Sequence, residues 1–413
     1  MRTTIRFARR LVDAATIASI ATAAAVAAAS IVPITFAQAQ AQSREPAAIM
    51  ARIEAAQTPN RQGWDGLTLQ ELMQRFRVPG MSIAVIKDGK IHWAKGYGVA
   101  DVETGQPVDT GTVFQAASIS KPVFAMSVVK LAQDGRVSLD ADVNTYLKSW
   151  RVPASEHTRT QPVTLRSLLS HTSGATDGFG FPGYDPAVQR PTLVQIMQGG
   201  PPSNTGPVRF GRAPYVGFQY SGGGLTLAQL AIEDFTGKPF ADFMRETVLA
   251  PAGMTNSSYE QPISATLAPR AARAHNGAGR RMGAPWHVYP EQAAAGLWTT
   301  PSDLARFAIE VQRAVQGPKG AVLTQAFARE MIAPTGAGDF AVGLTITKEG
   351  QGWYFSHGGS NWGYQCNVYS HVRKGYGVAI MTNGDAGGVV IREIQARIAA
   401  AYDWDSLDKP IPR

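Results

Sequence analysis

A serine and a lysine three positions apart, Ser118 and Lys121, stand at the head of an apolar run over residues 123–131. On a helix, residues three apart lie one above the other on the same face, so the lysine amine can reach the serine hydroxyl and take its proton. A helix N-terminus at the same point favours negative charge on the oxygen. Under those conditions a serine becomes a nucleophile without a histidine base. The chain carries Ser-x-x-Lys twice more, at Ser127 with Lys130 and at Ser406 with Lys409. The first of these falls inside the apolar run, with no turn to expose the hydroxyl, and the second in a polar tail. Only Ser118 sits where a short connector, Phe114 to Ala117, meets a helix.

Two other stretches carry polar groups beside glycines. In one, Tyr220 precedes three consecutive glycines, Gly222 to Gly224, and a helix; in the other, His357 precedes Gly358 and Gly359 at a strand edge. Tyr220 lies 102 residues after Ser118, and His357 a further 137. Folding alone can bring them together. Singly, such residues are usually packing or turn chemistry. The seven histidines show no His-x-x-x-His or comparable spacing, so neither a metal nor another cofactor is expected. His171 reads as a structural loop residue, and His92 as a side chain facing out of its hairpin. Cys366 is the only cysteine, which excludes an intramolecular disulfide and suits a small buried hydrophobe on a strand.

At 413 residues the chain exceeds one small core, and 44% hydrophobic with 17% charged residues is ordinary globular composition. Arg2, Arg6, Arg9 and Arg10 precede an Ala-rich apolar run over residues 14–36, and Ala37-Gln38-Ala39 offers small residues for cleavage. That layout predicts a secretory signal peptide over residues 1–39. The run is long enough to span a membrane, but Pro33 and the small-x-small end favour cleavage. No cysteine follows it, so a lipidated N-terminus is excluded. Removing four arginines and Asp13 lowers the net charge from +8 to +5. The remaining basic residues are scattered, which fits a solvated surface and not a nucleic-acid groove. The expectation is a periplasmic or secreted protein without stable membrane insertion after cleavage, whose partner is a small-molecule or peptide substrate. The oligomeric state is not legible.

Period and punctuation give the elements that must position the site. Residues 40–60 read as a loose leader. Leu67, Leu69, Leu72, Met73 and Phe76 mark a helix ended by Pro79-Gly80. Residues 81–86 and 91–99 flank Asp88-Gly89 as the two arms of a hairpin. Helices and long loops dominate residues 138–251: Thr164 caps a helix over 165–169, and helices cover 225–235 and 240–249. The loop over 174–186, with Phe179, Phe181 and Tyr184, reads as a wall or lid over a pocket. Residues 270–285 read as an exposed basic loop. Thr300-Pro301-Ser302-Asp303 opens another helix. Strands are expected over 340–347, 352–356, 364–369 and 376–382, and a closing helix over 389–401. A hairpin is too small to stand alone, so the early hairpin should join the late strands. The expected fold is α+β, an α/β sandwich. An antiparallel sheet from N- and C-terminal segments is flanked by helices, and a mostly helical lobe is inserted. Within a domain over 61–405, the α/β lobe covers about 61–117 and 290–405 and the helical lobe about 118–289.

Ser118-x-x-Lys121, Tyr220-Ser221-Gly222 and His357-Gly358-Gly359, in that order, resemble the three motifs of the class C β-lactamase-like serine hydrolases. That β-lactamase-related, penicillin-binding-protein-like family also holds D,D-peptidases, D-amino-acid peptidases and carboxylesterases. The resemblance covers about residues 65–400 and extends to Val78-Pro79-Gly80-Met81, to Leu168 through Gly174 and to Gly296 through Thr300. It implies the β-lactamase/transpeptidase-like fold, with Ser118 as the acylated nucleophile and Lys121 as its proton acceptor. Tyr220 resembles the tyrosine that relays protons to the leaving group and helps activate the deacylating water. His357 stands where many members have lysine, and Gly359 keeps the strand edge open to substrate. The N–H groups of Ser118 and Ser360 match the family's oxyanion hole, where each such donor is worth about 3 kcal/mol.

Gly222 departs from the pattern, because the family's second motif ends in asparagine. Asn361 is a candidate replacement amide. No Gly-x-Ser-x-Gly is present, which argues against an α/β-hydrolase esterase. The resemblance implies an exported serine hydrolase that forms an acyl-enzyme on an ester, peptide or β-lactam bond. The lost amide favours an esterase or peptidase over a resistance β-lactamase. Aromatics near Phe179, Phe181 and Tyr184, with a wall near Trp298 and Trp362, are expected to suit a small apolar acyl group. The alternative is a non-catalytic peptidoglycan- or peptide-binding module that keeps the pocket.

Overall fold

A computed structural model describes residues 36–58, 63–176, 180–318 and 320–409, with side chains from Glu45 onward. Two compact units are distinguished, Met1–Ala47 and Ala48–Arg413. Of the first, only the start of a helix is described. The signal peptide expected over 1–39 therefore lies outside the described residues, apart from helical backbone at its end, and so does Phe179.

The helices are α1 (Phe36–Glu54), α2 (Leu69–Arg75), α3 (Ser120–Gln133), α4 (Leu165–Leu169), α5 (Leu193–Gln198) and α6 (Gly222–Thr236), followed by α7 (Phe240–Met244), α8 (Gln292–Ala295), α9 (Pro301–Gln316), α10 (Gln325–Met331) and α11 (Gly387–Ala401). The strands are β1 (Gly80–Lys87), β2 (Lys90–Gly98), β3 (Phe114–Gln115), β4 (Trp298–Thr299), β5 (Thr345–Glu349), β6 (Gly352–Asn361), β7 (Tyr364–His371) and β8 (Gly377–Thr382). Six of them form one antiparallel sheet in the order β2-β1-β8-β7-β6-β5. The early hairpin is thus completed by the last strand, which pairs along β1 from Met81↔Thr382 to Ile86↔Gly377.

Alternation assigns the two faces of that sheet. Met81, Ile83 and Val85 join Val378 and Ile380 in a core with Leu69, Leu72, Ile394 and Ile398, so α2 and α11 cover this side. Ala84 and Ile86 turn to the larger core on the other side, with Ala379 and Met381. Ala84 and Ala379 are register partners, and two small side chains there let α9 lie close against β1 and β8. Helix ends follow side-chain chemistry. Thr68 with Glu71, and Thr164 with Ser167, form capping boxes. Thr300 caps α9, with Pro301 in its first turn. Residues 116–297 leave and return through β3 and β4, which pair as Phe114↔Thr299 and Gln115↔Trp298.

Several local expectations are corrected. The stretch read as a loose leader is helical as far as Glu54, and Ile53 is buried in the α2/α11 core. The strand expected from 340 begins at Thr345, because Gly343 has a positive φ and Ala341 closes a turn onto Leu344. β6 runs on to Asn361, since pairing with β7 carries the backbone through Gly358 and Gly359. The basic stretch over 270–285 is woven into the fold: Ala272 and Ala274 are buried, and Arg281 pairs with Asp101 and Glu103. His92 does not face solvent freely; its Nδ1 lies 2.6 Å from the Tyr402 hydroxyl. Among the described residues no helix is long and apolar enough to cross a membrane.

Candidate active site

The turn that carries Ser118 is short and locked. Ala117 has φ 49, a left-handed backbone that a Cβ disfavours. Neighbouring groups hold it there. The Ser120 hydroxyl donates to Ala117 O (2.5 Å) and accepts from Leu297 N (3.0 Å), and the Tyr259 hydroxyl donates to Ser120 O (2.6 Å). A 3-10 turn over Ala117–Ile119 comes first and α3 follows from Ser120, so the helix starts slightly later than the sequence suggests. Lys121 lies in the first turn of α3. Its Nζ donates to Ser118 Oγ at 2.9 Å and to Ala294 O at 2.7 Å. The side chain is only 1% exposed, and both of these partners are neutral oxygens.

The strand edge reaches this turn because β6 outlasts its neighbour. Pairing with β5 ends at Thr345↔Ser356, while pairing with β7 continues to Asn361↔Tyr364. The segment over 357–361 packs against the Ser118 turn, and a Cβ on Gly359 would run into Ala116 O and Cys366 Sγ. Glycine is required for that approach. Cys366 donates to Ala116 O at 3.0 Å, and burial pushes its thiol pKa well up, so it is an unreactive packing group.

Tyr220 comes in from the connector before α6. Its ring centroid lies 5.0 Å from Lys121 Nζ, and the His171 ring stacks on it at 4.2 Å with 25° between planes. Phe340 packs edge-on to His171 (5.1 Å), Tyr220 (6.1 Å) and His357 (5.9 Å). His357 Nδ1 sits 2.6 Å from Gly358 O. A carbonyl only accepts, so Nδ1 carries the hydrogen and Nε2 is an acceptor. Among the described residues this buried Nε2 has no partner. Burial, then the nearby Lys121 charge, pushes the His357 pKa down to about 3. The imidazole is therefore neutral. Burial, with Lys121 and His357 beside it, likewise holds His171 well below the usual histidine range.

Ser118, Lys121, Tyr220, His357, Gly359, Ser360 and Asn361 all line one cavity of about 810 Å³. The Ser360 hydroxyl accepts from Gln365 Nε2 at 2.8 Å. Asn361 Nδ2 donates to Gln115 Oε1 (2.9 Å) and Ala295 O (3.1 Å). Its amide hydrogens therefore pin β6 to β3 and α8. Position 222 is filled otherwise: a Cβ on Gly222 would lie 2.8 Å from Phe181 Cε2, so an aromatic edge occupies the space beside it. The expected aromatic wall is also corrected. Trp298 and Tyr184 are buried, Trp362 stacks on His287 at 3.9 Å, and none of the three lines the cavity. Phe181, Phe340 and, at the rim, Arg392 of α11 do. No motif marks Phe340 or Arg392; the turn before β5 and the packing of α11 on β7 and β8 bring them in.

α8 delivers Ala294 O to Lys121, and Glu291 stands at its N-cap. Glu291 is fully buried, and its carboxyl oxygens have no hydrogen-bond partner in other described residues. Burial pushes its pKa up to about 8. A carboxyl raised in the folded state destabilises it progressively as pH climbs from the ordinary carboxylate range to the folded value. Glu291→Gln should therefore gain thermal stability over wild type between about pH 5 and pH 8, then level off. A Tm difference that stays flat across that window would show the carboxyl to be paired.

The model of the Beta-lactamase family matches residues 67–402. Protein flp of Staphylococcus aureus (strain N315) is 26% identical over 189 residues, 46% of this chain and 36% of that protein. Esterase EstB of Burkholderia gladioli is 27% identical over 249 residues, 56% of this chain and 55% of that protein. These matches thus span at most about half of the curated relatives' own length. The solved D-amino acid amidase from Ochrobactrum anthropi SV3 superposes with a TM-score of 0.66 at 22% identity, covering 86% of this chain and 99% of that one; the likeness is one of fold.

Proposed function

The chain belongs to the beta-lactamase family, and from that premise we propose that it is an exported serine hydrolase working through an acyl-enzyme on Ser118. One observation carries the reading: a buried lysine amine 2.9 Å from the hydroxyl of a serine on a strained turn. In the reactive form Lys121 is the free amine and accepts from the Ser118 hydroxyl, so Ser118 Oγ attacks the substrate carbonyl while its proton passes to Lys121 Nζ. The N–H groups of Ser118 and Ser360 take the charge that develops on the carbonyl oxygen. As the leaving group departs, Tyr220 passes it a proton, and Lys121 restores the tyrosine. Water then attacks the acyl ester, giving its proton back through the same pair, and Ser118 is regenerated. The signal-like pattern over residues 1–39 supports a periplasmic or secreted location.

The preferred substrate is an ester or peptide rather than a β-lactam. Phe181 packs beside Gly222, where the family motif has an amide, and neutral His357 stands in for a cation. A site built to hydrogen-bond a group rejects analogues without it; an apolar site makes no such demand. Short-chain nitrophenyl esters should thus be cleaved with higher kcat/KM than nitrocefin. Gly222→Asn alone should impair both, because the new Cβ meets the Phe181 ring. Gly222→Asn with Phe181→Ala should move the ratio toward nitrocefin. A wild-type protein that prefers nitrocefin ends the esterase reading.

A further inference from the structure

We propose that His171 is a positioning residue that fixes the Tyr220 hydroxyl for proton transfer, by stacking on the phenol ring while holding the chain on both sides of it. The inference rests on the proton relay proposed above. Gln219 N donates to the His171 carbonyl at 2.8 Å, and Ser221 N donates to His171 Nδ1 at 3.1 Å. One residue therefore accepts from the N–H groups immediately before and immediately after Tyr220. The same imidazole lies face to face with the tyrosine ring at 4.2 Å. Backbone and side chain of Tyr220 are fixed by a single partner.

The surroundings keep that partner in place. Phe340 and Phe218 pack edge-on to the imidazole, at 5.1 and 6.0 Å, and the residue is 1% exposed. Because Nδ1 accepts, the ring is neutral with its hydrogen on Nε2. Its backbone is left-handed, with φ 58, a region where histidine and asparagine are found more readily than most residues. Few side chains meet all three demands. Asparagine keeps the acceptor and tolerates the backbone but offers no ring. Phenylalanine offers a ring but no acceptor, and it resists the backbone.

The test measures kcat and KM on nitrophenyl butyrate, with working sites counted by fluorophosphonate titration. His171→Ala should lower kcat per site about 100-fold, the scale of losing precise placement, with KM within about threefold. His171→Asn restores the acceptor and should sit only about tenfold below wild type. In a Tyr220→Phe background the hydroxyl being positioned is gone, so His171→Ala should cost less than a further threefold or so. A purely structural role would instead reduce the number of sites and leave kcat per site unchanged. Wild-type kcat per site in His171→Ala, or losses that multiply in the double variant, would overturn the proposal. If His171→Ala gives too few sites to measure, His171→Asn and its Tyr220→Phe double decide by the same two criteria. Failure of the relay itself would appear elsewhere, as full activity in Tyr220→Phe alone.

Discussion

Replacing Ser118 with alanine should remove turnover altogether, a loss on the order of 10⁵-fold or more on any substrate, as for other nucleophilic serines that act within a unit. The fold should survive. The Ser118 hydroxyl accepts one bond from Lys121 Nζ, and the amine retains its second partner, Ala294 O. A shift in Tm of more than a few degrees would therefore be unexpected. The other Ser-x-x-Lys serine in α3 gives the control. Ser127 Oγ donates to Phe124 O at 2.7 Å in the core, and Ser127→Ala should retain near-wild-type kcat. Substantial turnover in Ser118→Ala would mean that another group, or a water alone, attacks the substrate.

Lys121→Ala and Tyr220→Phe should each cost on the order of 100-fold or more in kcat, and the double variant little beyond the worse of the two. The geometry asks for this non-additivity. Lys121 Nζ touches the nucleophile and lies 5.0 Å from the tyrosine ring centroid, so the two residues serve one proton path. Lys121→Ala also leaves Ala294 O without its donor in a buried site, which costs about 1–3 kcal/mol of stability. Melting curves must accompany the kinetics for that variant. Strictly multiplicative losses in two well-folded variants would show that the residues act independently.

Much of the scaffold was legible because it rests on local chemistry. Asp88-Gly89 marks the hairpin turn, and Thr164 and Thr300 mark helix starts. The three-residue step from Ser118 to Lys121 predicts a contact within one turn, and the two atoms meet. What escaped depends on packing between distant segments. His171 is 50 residues from Ser221, and nothing in its own stretch shows that its ring will lie on Tyr220. Phe181 could be read as a loop aromatic but not as the ring beside Gly222. Trp298 and Trp362 look like pocket aromatics by composition, yet one is core and the other stacks on His287. Asn361 follows the third motif, but the proximity of Gln115 and Ala295 decides what its amide holds.

Peptide mapping by mass spectrometry after treatment with a fluorophosphonate tests the central claim most directly. One adduct is expected, on Ser118, the serine whose hydroxyl meets the buried Lys121 amine, and it should vanish in Ser118→Ala. An adduct on Ser127 or Ser221, or a second stoichiometric site that persists in Ser118→Ala, would contradict the assignment of Ser118 as the nucleophile.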